Sequence, residues 1–267
     1  MRAKKSYGQH FLHDRQIAHR IVDALHVTDG DLICEIGPGT GKLSAVLLNR
    51  FEATRVVCVE HDRDMVAHLQ EKFPQLRVLE GDAIHFDWET LVPDSESGRA
   101  VVVGNLPYNV SAPIYFHLLL NHRHRFHHMV LMFQQEVAAR LLAEPGTKKY
   151  GPPGVITHLL AERSSVAKVP PSAFRPPPKV DSAVIALRPR PAPLYGVREE
   201  DVVQLNQFVH QLFQFRRKTL RNNLKPIAGD QTERILEAIK VDGGIRSEKL
   251  PPETLVELWR AVYGTPS

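Results

Sequence analysis

The apolar positions of this chain follow two different spacings over its first two thirds. Short, mostly apolar runs predict buried strands at residues 31–36, 56–59, 77–79, 100–104, 129–133, 165–169 and 182–187. Between them apolar residues recur every three or four positions, which predicts helices at residues 14–25, 42–50, 64–73, 114–120 and 136–143, with another helical segment after 151–154. This alternation favours an α/β fold with a doubly wound, mainly parallel sheet.

The pattern changes at the proline-rich residues 188–193, which are typical of a stiff linker. Beyond them the strand signals stop, and helices are predicted at residues 201–213, 232–239 and 253–263. We therefore predict two domains, residues 1–190 with the sheet and residues 191–267 as a small all-helical domain.

Composition narrows the class of protein. A chain of 267 residues with 43% hydrophobic residues can bury a large core. Its start does not resemble a signal peptide and no apolar run is long enough to span a bilayer, so we expect a cytoplasmic protein without a membrane partner. Cys34 and Cys58 lie in strand-like runs and are predicted to be buried, reduced thiols. The net charge of +4 permits a nucleic-acid partner.

A glycine-rich loop, residues 35–41, follows the first of these strands and precedes a helix. A Walker A motif would need glycine at position 36, and a dinucleotide fingerprint would need glycine at position 42, where the chain has Ile36 and Lys42. The remaining pattern, G-x-G-x-G, is typical of the methyltransferase loop that curves around the methionine and ribose of S-adenosylmethionine. Gly37 and Gly39 are its candidate cofactor-binding residues.

Acidic residues follow the next two strands. Glu60 is placed to accept both ribose hydroxyl protons, and Asp82 to accept a hydrogen bond from the adenine amine of the cofactor. Either acid alone would be explained by a solvated strand end. Together with the glycine loop they predict S-adenosylmethionine as the cofactor.

The tetrad Asn105, Leu106, Pro107 and Tyr108 follows the strand at residues 100–104. It resembles the (N/D)-P-P-(Y/F/W) signature of S-adenosylmethionine-dependent amino-methyltransferases, with Leu106 in place of the first proline. The resemblance implies that the Asn105 side-chain oxygen and the Leu106 carbonyl hold the protons of an exocyclic amine. Tyr108 would stack on the extruded base. The alternative is an ordinary turn.

Longer segments resemble one family nearly from end to end, the bacterial small-subunit ribosomal RNA adenine N6,N6-dimethyltransferases. They are residues 8–12 (GQHFL), 35–41 (EIGPGTG), 104–114 (GNLPYNVSAPI), 170–184 (PPSAFRPPPKVDSAV) and 215–222 (FRRKTLRN). The resemblance implies a Rossmann-like class I methyltransferase sheet and dimethylation of two adjacent adenines in a 3′-terminal hairpin of 16S ribosomal RNA, coupled to small-subunit biogenesis. It also implies small-subunit RNA within a pre-assembled 30S particle as the partner, and we expect a monomer.

The same resemblance adds further site residues. His10 and Leu12 would touch the cofactor together with Asn105, although the family often has asparagine where this chain has His10. Phe174 would approach the second face of the target adenine. The competing interpretation of Phe174 is a core residue.

Two basic clusters are predicted to contact RNA phosphates. One opens the chain at Arg2, Lys4 and Lys5, and the other lies on a predicted helix of the small domain and comprises Arg216, Arg217, Lys218 and Arg221. The histidines at positions 122, 124, 127 and 128 lack an acid or cysteine to complete a metal site, so no metal is predicted.

Other function classes remain open. The same fold is compatible with a non-catalytic ribosome-assembly or transcription factor, with a large-subunit ribosomal RNA methyltransferase, or with a DNA adenine methyltransferase. The intact tetrad and Glu60 argue against a degenerate site. The helical domain with FRRKTLRNNL at residues 215–224 favours the small-subunit type.

Overall fold

The computed structural model describes residues 10–92 and 100–264. Its contacts divide the chain into two units, Met1–Ala138 with Glu162–Arg190, and Ala139–Ala161 with Pro191–Ser267. Arg2, Lys4, Lys5, Gly8 and Gln9 lie outside the described residues.

The first unit is built on a seven-stranded sheet of order β4-β3-β2-β5-β6-β9-β7. The strands in chain order are β1 (Phe11–Leu12), β2 (Leu32–Ile36), β3 (Val56–Glu60), β4 (Arg77–Glu80), β5 (Ala100–Asn105), β6 (Phe126–Gln134), β7 (Ala161–Val169), β8 (Phe174–Arg175) and β9 (Ser182–Pro189). Strands β4, β3, β2, β5 and β6 are parallel, and β9 pairs antiparallel with β6. This sheet confirms the predicted fold class.

The strand order reverses between β2 and β5. The chain runs outward from β2 through β3 to β4 and then returns to place β5 on the other side of β2. In open α/β sheets ligands bind in the crevice outside the carboxyl ends of the strands at such a switch point. Gly37 and Asn105 lie at the carboxyl ends of these two strands.

Helices cover the sheet and close its core. Those of the first unit are α1 (Arg15–Asp23), α2 (Lys42–Arg50), α3 (Arg63–Lys72), α4 (Trp88–Leu91), α5 (Ser111–Asn121) and most of α6 (Gln135–Leu141). Asp14 caps α1, because its side chain accepts hydrogen bonds from the backbone N–H groups of Gln16 and Ile17. Buried Ile17, Ile21 and residues of the central strands form one apolar cluster.

A second sheet has only two strands, β1 and β8, paired antiparallel with Leu12 opposite Phe174. The sequence analysis did not predict either strand, because each has two residues and its partner is more than 160 positions away. This small sheet places the start of the described chain beside residues 174–175.

The second unit is helical, with α7 (Pro152–Leu160), α8 (Val202–Leu212), α9 (Leu220–Ala228), α10 (Thr232–Ala238) and α11 (Pro252–Tyr263). Helix α7 packs against α8 and α11, and its apolar side chains are buried on several sides. A helix with apolar side chains on several faces has to be packed against neighbours on each of them. Residues 139–161 therefore group with the chain beyond Arg190, unlike the two consecutive segments, 1–190 and 191–267, expected from the sequence.

Two further expectations concern cysteines and membranes. Cys34 and Cys58 are buried and free, as predicted, and burial raises the pKa of the Cys34 thiol to about 12. Within residues 10–92 and 100–264, every helix is too short or too polar to cross a bilayer.

Candidate active site

A pocket of about 210 Å³ opens at the switch point of the large sheet. Most of the residues predicted from the sequence line it, namely His10, Gly37, Gly39, Glu60, Asp82, Asn105, Leu106, Pro107 and Tyr108. Phe11 also lines it, whereas Leu12 does not. Leu12 is instead part of the apolar core, since side chains alternate along a strand.

The glycine loop between β2 and α2 needs its glycines for conformation and for space. Gly37 and Gly39 have positive φ angles of 64° and 54°. A Cβ added to Gly39 would lie 2.9 Å from the Phe11 ring. Both features favour glycine, and together they leave the loop backbone open to a ligand in the pocket.

Glu60 ends β3 with its carboxylate held in place by two backbone donors. The Gly39 N–H donates to Oε2 at 3.1 Å, and the Asp62 N–H donates to Oε1 at 2.9 Å. The residue is buried, and this desolvation raises the pKa of its carboxyl above the ordinary value. A carboxylate offers about four acceptor sites, so it can also accept from a ligand hydroxyl.

Asp82 follows β4, the strand next to β3, and lines the same pocket as Glu60. Its Oδ1 accepts a hydrogen bond from the Ile84 N–H at 2.9 Å, which fixes the side chain in a tight turn. The other oxygen, Oδ2, has no hydrogen bond from the described part of the chain. It is therefore available to an amine donor in the pocket.

Asn105 ends β5, and its side-chain amide has a defined orientation. Its Nδ2 donates to the backbone carbonyl of His10 at 3.1 Å. Because a carbonyl oxygen only accepts, the nitrogen must face His10 and Oδ1 must face the other way. Asn105 lines the pocket, and its Oδ1 receives no hydrogen bond from the described residues.

The preceding residue, Gly104, keeps the two central strands close together. A Cβ there would lie 2.6 Å from the Ile36 carbonyl oxygen, which is backbone and cannot move aside. Glycine at this position allows Asn105 to sit directly beside the glycine loop.

Tyr108 is fixed by contacts around its ring. Its hydroxyl forms a 2.5 Å hydrogen bond with Ser182 Oγ, and desolvation raises the pKa of the phenol. The His10 ring stacks on it, with centroids 5.3 Å apart and an interplanar angle of 29°. The His10 Nδ1 in turn donates to the Pro176 carbonyl at 2.8 Å.

Phe174 meets Tyr108 edge-on, with ring centroids 6.5 Å apart and an interplanar angle of 73°. It is only 1% exposed and belongs to the apolar core of the first unit. The structure therefore places Phe174 as the buried support of Tyr108, in line with the core interpretation. A stacking role for Phe174 stays a prediction.

A buried acid behind the glycine loop was missed by the sequence analysis. Glu35, 1% exposed, accepts a 2.6 Å hydrogen bond from Ser44 Oγ, and the Cys58 thiol donates to the same oxygen at 3.4 Å. Burial raises the pKa of the Glu35 carboxyl to about 7. This contact joins β2 to α2 across the loop between them. The sequence feature that could have indicated Glu35 is an acidic residue inside an otherwise apolar strand.

The basic cluster of the second unit lies differently from the prediction. Arg216, Arg217 and Lys218 are in the turn between α8 and α9 and not on a helix. The reason is a cap, because the Thr219 side chain accepts from the Asn222 N–H and begins α9 after Lys218. Only Arg221 is helical.

These four cations also differ in their surroundings. Arg216 pairs with Glu248 at 3.2 Å, and Arg221 pairs with Glu233 at 2.6 Å. Arg217 and Lys218 are exposed and have no carboxylate partner in the described ranges. Lys218 lies 4.3 Å over the ring of Phe215, which is 45% exposed. The turn at residues 214–219 thus displays an aromatic ring beside two unpaired cations.

The histidine-rich segment forms no metal centre. Over residues 10–92 and 100–264, no group of three or more histidine, cysteine or acidic side chains is arranged to hold a metal ion. His127 contacts Asp31 at 2.8 Å, while His128 is buried against His26. These histidines have structural contacts.

Comparisons with known proteins identify relatives of this chain. The chain is 41% identical over 260 residues to the ribosomal RNA small subunit methyltransferase A of Alcanivorax borkumensis, covering 96% of this chain and 89% of that protein. The protein of the same name from Pseudomonas aeruginosa is 40% identical, with 96% of this chain and 93% of that protein covered.

Two solved structures share the fold. A dimethyladenosine transferase from Plasmodium falciparum has a TM-score of 0.72 and 27% identity, covering 93% of this chain and 96% of that one. The 23S rRNA methyltransferase ErmE has a TM-score of 0.68 and 27% identity, covering 94% and 99%. The family model described as ribosomal RNA adenine dimethylase matches residues 1–262, and the chain belongs to that family.

Proposed function

We propose that the protein transfers methyl groups from S-adenosylmethionine to the N6 atoms of two adjacent adenines in the 3′-terminal hairpin of small-subunit ribosomal RNA. The observation that supports this most directly is the orientation of Asn105, which lines the pocket beside the glycine loop and whose Nδ2 bonds to His10, so that Oδ1 is left to accept. The proposal extends to action by a monomer, in the cytoplasm, on RNA within a pre-assembled 30S particle.

The pocket residues fit S-adenosylmethionine. The open glycine backbone at Gly37 and Gly39 suits its methionine part, the carboxylate of Glu60 suits its ribose, and Asp82 Oδ2 suits its adenine amine. When bound, the cofactor supplies an electrophilic methyl group on a positively charged sulfur. The buried carboxylate of Glu60 is a favourable neighbour for that charge.

The chain's own contribution is to hold the weak nucleophile. The N6 lone pair of adenine is delocalised into the ring, so attack requires a nitrogen that is less conjugated. Asn105 Oδ1 and the Leu106 carbonyl each accept one amine proton and thereby favour a pyramidal nitrogen. No strong base is needed, and the remaining task is to align nitrogen, methyl and sulfur.

Tyr108 provides the surface on which the extruded base stacks. Its hydrogen bond to Ser182 and its edge contact with Phe174 hold the ring in one orientation. The His10 ring covers part of that surface, so it has to shift or share the ring when adenine binds.

The choice of small-subunit RNA rests on the comparisons. Identity is clearly higher to the proteins named small subunit methyltransferase than to the 23S enzyme. A large-subunit target remains the second candidate, because that enzyme shares the fold over nearly its whole length.

The test is methyl transfer to ribosomal particles that lack the modification. Purified protein is incubated with labelled S-adenosylmethionine and with small subunits, large subunits or their naked RNAs, and the modified adenines are then mapped. We expect dimethyladenine near the 3′ end of the small-subunit RNA, with particles preferred. Transfer only to large-subunit RNA would establish the second candidate, and binding without transfer to any substrate would support a non-catalytic assembly factor.

A further inference from the structure

Residues 175–181, termed here the rim segment, follow Phe174 and precede Ser182. Both flanking residues contact Tyr108, Phe174 through its ring edge and Ser182 through its hydroxyl. A stretch of seven residues whose two ends meet at one side chain cannot extend far from it. Three residues span at most about 10 Å, so Lys179 remains close to Ser182 and the pocket.

The rim segment is fixed to the residues of the site. The Pro176 carbonyl accepts from His10 Nδ1 at 2.8 Å, and the Asp181 carbonyl accepts from the Gln135 N–H at 2.9 Å. Three consecutive prolines, residues 176–178, restrict the backbone between these anchors. The segment is therefore a preformed surface beside the pocket.

Its side chains have the chemistry of a phosphate contact. Strand alternation buries Phe174 and turns Arg175 outward, and both Arg175 and Lys179 are exposed. Neither cation has a carboxylate partner in the part of the chain that the structure describes. The segment has one acid, Asp181, at its end.

One apolar side chain completes the surface. Val180 is 46% exposed between Lys179 and Asp181. Because nearly half of its surface is exposed, Val180 contributes little to the core. An exposed aliphatic group beside two cations suits a nucleotide, whose base offers an apolar face and whose backbone offers a charge.

A base that is methylated at N6 must leave its stack, whereas its own phosphates stay outside the pocket. Those phosphates then lie at the pocket mouth, beside Tyr108. We propose that the rim segment binds the RNA backbone that flanks the target adenine, with Arg175 and Lys179 as phosphate ligands and Val180 against a neighbouring base. This inference rests on the proposed function and identifies the part of the substrate that the pocket itself does not hold.

The experiment compares two double variants with equal loss of charge. Arg175→Gln with Lys179→Gln removes both cations of the rim segment. Arg77→Gln with Arg188→Gln removes two exposed cations that have no carboxylate partner in the described ranges, from the far end of the sheet, where β4 begins and β9 ends. Binding to small ribosomal subunits that lack the modification, and to their naked RNA, is measured over a series of salt concentrations, together with S-adenosylmethionine affinity.

For the rim variant we expect RNA binding to weaken about tenfold and the salt slope to fall by roughly 1.4, as for two single-strand phosphate contacts. Cofactor affinity should equal that of the parent, which also shows that the pocket is folded. The Arg77 and Arg188 variant should change RNA affinity less than about twofold. Val180→Ser should weaken binding without altering the slope, since no charge is removed.

Equal affinities and slopes for the two double variants would overturn the inference. That outcome differs from a failure of the proposed function, in which the parent transfers no methyl group to any RNA. A parent that binds RNA without methylating it, and loses that binding in the rim variant, would still establish the rim segment as an RNA surface. A parent that binds neither small subunits nor their RNA would overturn both.

Discussion

The side-chain amide of Asn105 and the backbone carbonyl of His10 form a hydrogen bond of 3.1 Å that fixes the orientation of the amide, with Nδ2 toward His10. His10 is 95 residues away in the chain, and β1, which begins at the next residue, is held by its pairing with β8. The position of the acceptor proposed for the amine protons thus depends on strand β8 as well as on β5.

Asn105→Ala should abolish most methyl transfer while leaving RNA binding intact. It removes one acceptor for the amine protons, a loss that typically lowers rates about 10²–10³-fold. Rates are measured at saturating S-adenosylmethionine, because Asn105 is also a predicted cofactor contact, and monomethyl and dimethyl adenine are counted separately. Asn121→Ala, at the end of α5, is the matched control. Dimethylation at the parent rate would refute the role of Asn105.

Asn105→Asp tests the hydrogen bond to His10. The carboxylate keeps an acceptor for the amine but cannot donate to the His10 carbonyl. We expect activity between those of the parent and the alanine variant. Activity equal to the parent would show that the contact with His10 does not orient the side chain.

Glu60→Gln should weaken S-adenosylmethionine binding and remove its dependence on pH. The proposed contact with the ribose hydroxyls uses the ionised carboxylate, and desolvation raises the pKa of Glu60. Parent affinity should therefore fall as pH is lowered toward that raised pKa. Replacing the charged acceptor should cost on the order of 1.5–3 kcal/mol, read by calorimetry at several pH values. A folded variant with the parent dissociation constant would place Glu60 outside the cofactor site.

Glu35→Gln should change how folding stability depends on pH. In the folded chain the Glu35 pKa is about 7 instead of 4.5, so the folded state retains a proton that the unfolded state releases. This contribution to the stability of the parent is fully present below pH 4.5 and is lost as pH rises to about 7. Its size is on the order of 3 kcal/mol.

Urea unfolding of the parent and of Glu35→Gln at several pH values measures that contribution, with Glu71→Gln on the exposed side of α3 as control. The difference in unfolding free energy between parent and Glu35→Gln should shift in favour of the variant as pH rises. A constant difference across this range would contradict the assignment of the proton to Glu35.

Arg217→Ala with Lys218→Ala should weaken RNA binding more than Arg216→Ala with Arg221→Ala, although both remove two positive charges. The first pair has no acidic partner among the described residues, whereas the second is paired with Glu248 and Glu233. The salt slope should fall by roughly 1.4–1.8 for the first variant, as for two phosphate contacts. Similar slopes for both variants would show that the turn has no special role.

Among the residues that line the pocket, those at the ends of neighbouring strands were predicted best from the sequence. Glu60, Asp82 and Asn105 each follow an apolar run, and parallel strands bring such ends together whatever the intervening lengths. The large sheet was predictable because most of its strands are long enough to show a local apolar pattern.

Long-range contacts explain the misses. The β1–β8 pair has two residues on each side, and its formation depends on the folded sheet and not on local propensity. The turn before α9 was mistaken for helix because arginine and lysine are good helix formers. Thr219 was the available signal for the start of α9, since threonine is a common N-cap residue.

The assignment of residues 139–161 to the helical unit has a consequence for biosynthesis. During synthesis α7 emerges from the ribosome first. The helices that pack against it, α8 and α11, are made later. Until then Val155, Ile156 and Leu159 of the nascent chain lack the neighbours that keep them from water. Termination at residue 190 would make that state permanent. A truncated protein that ends there should aggregate, and removing residues 139–161 as well is the rational way to shorten it.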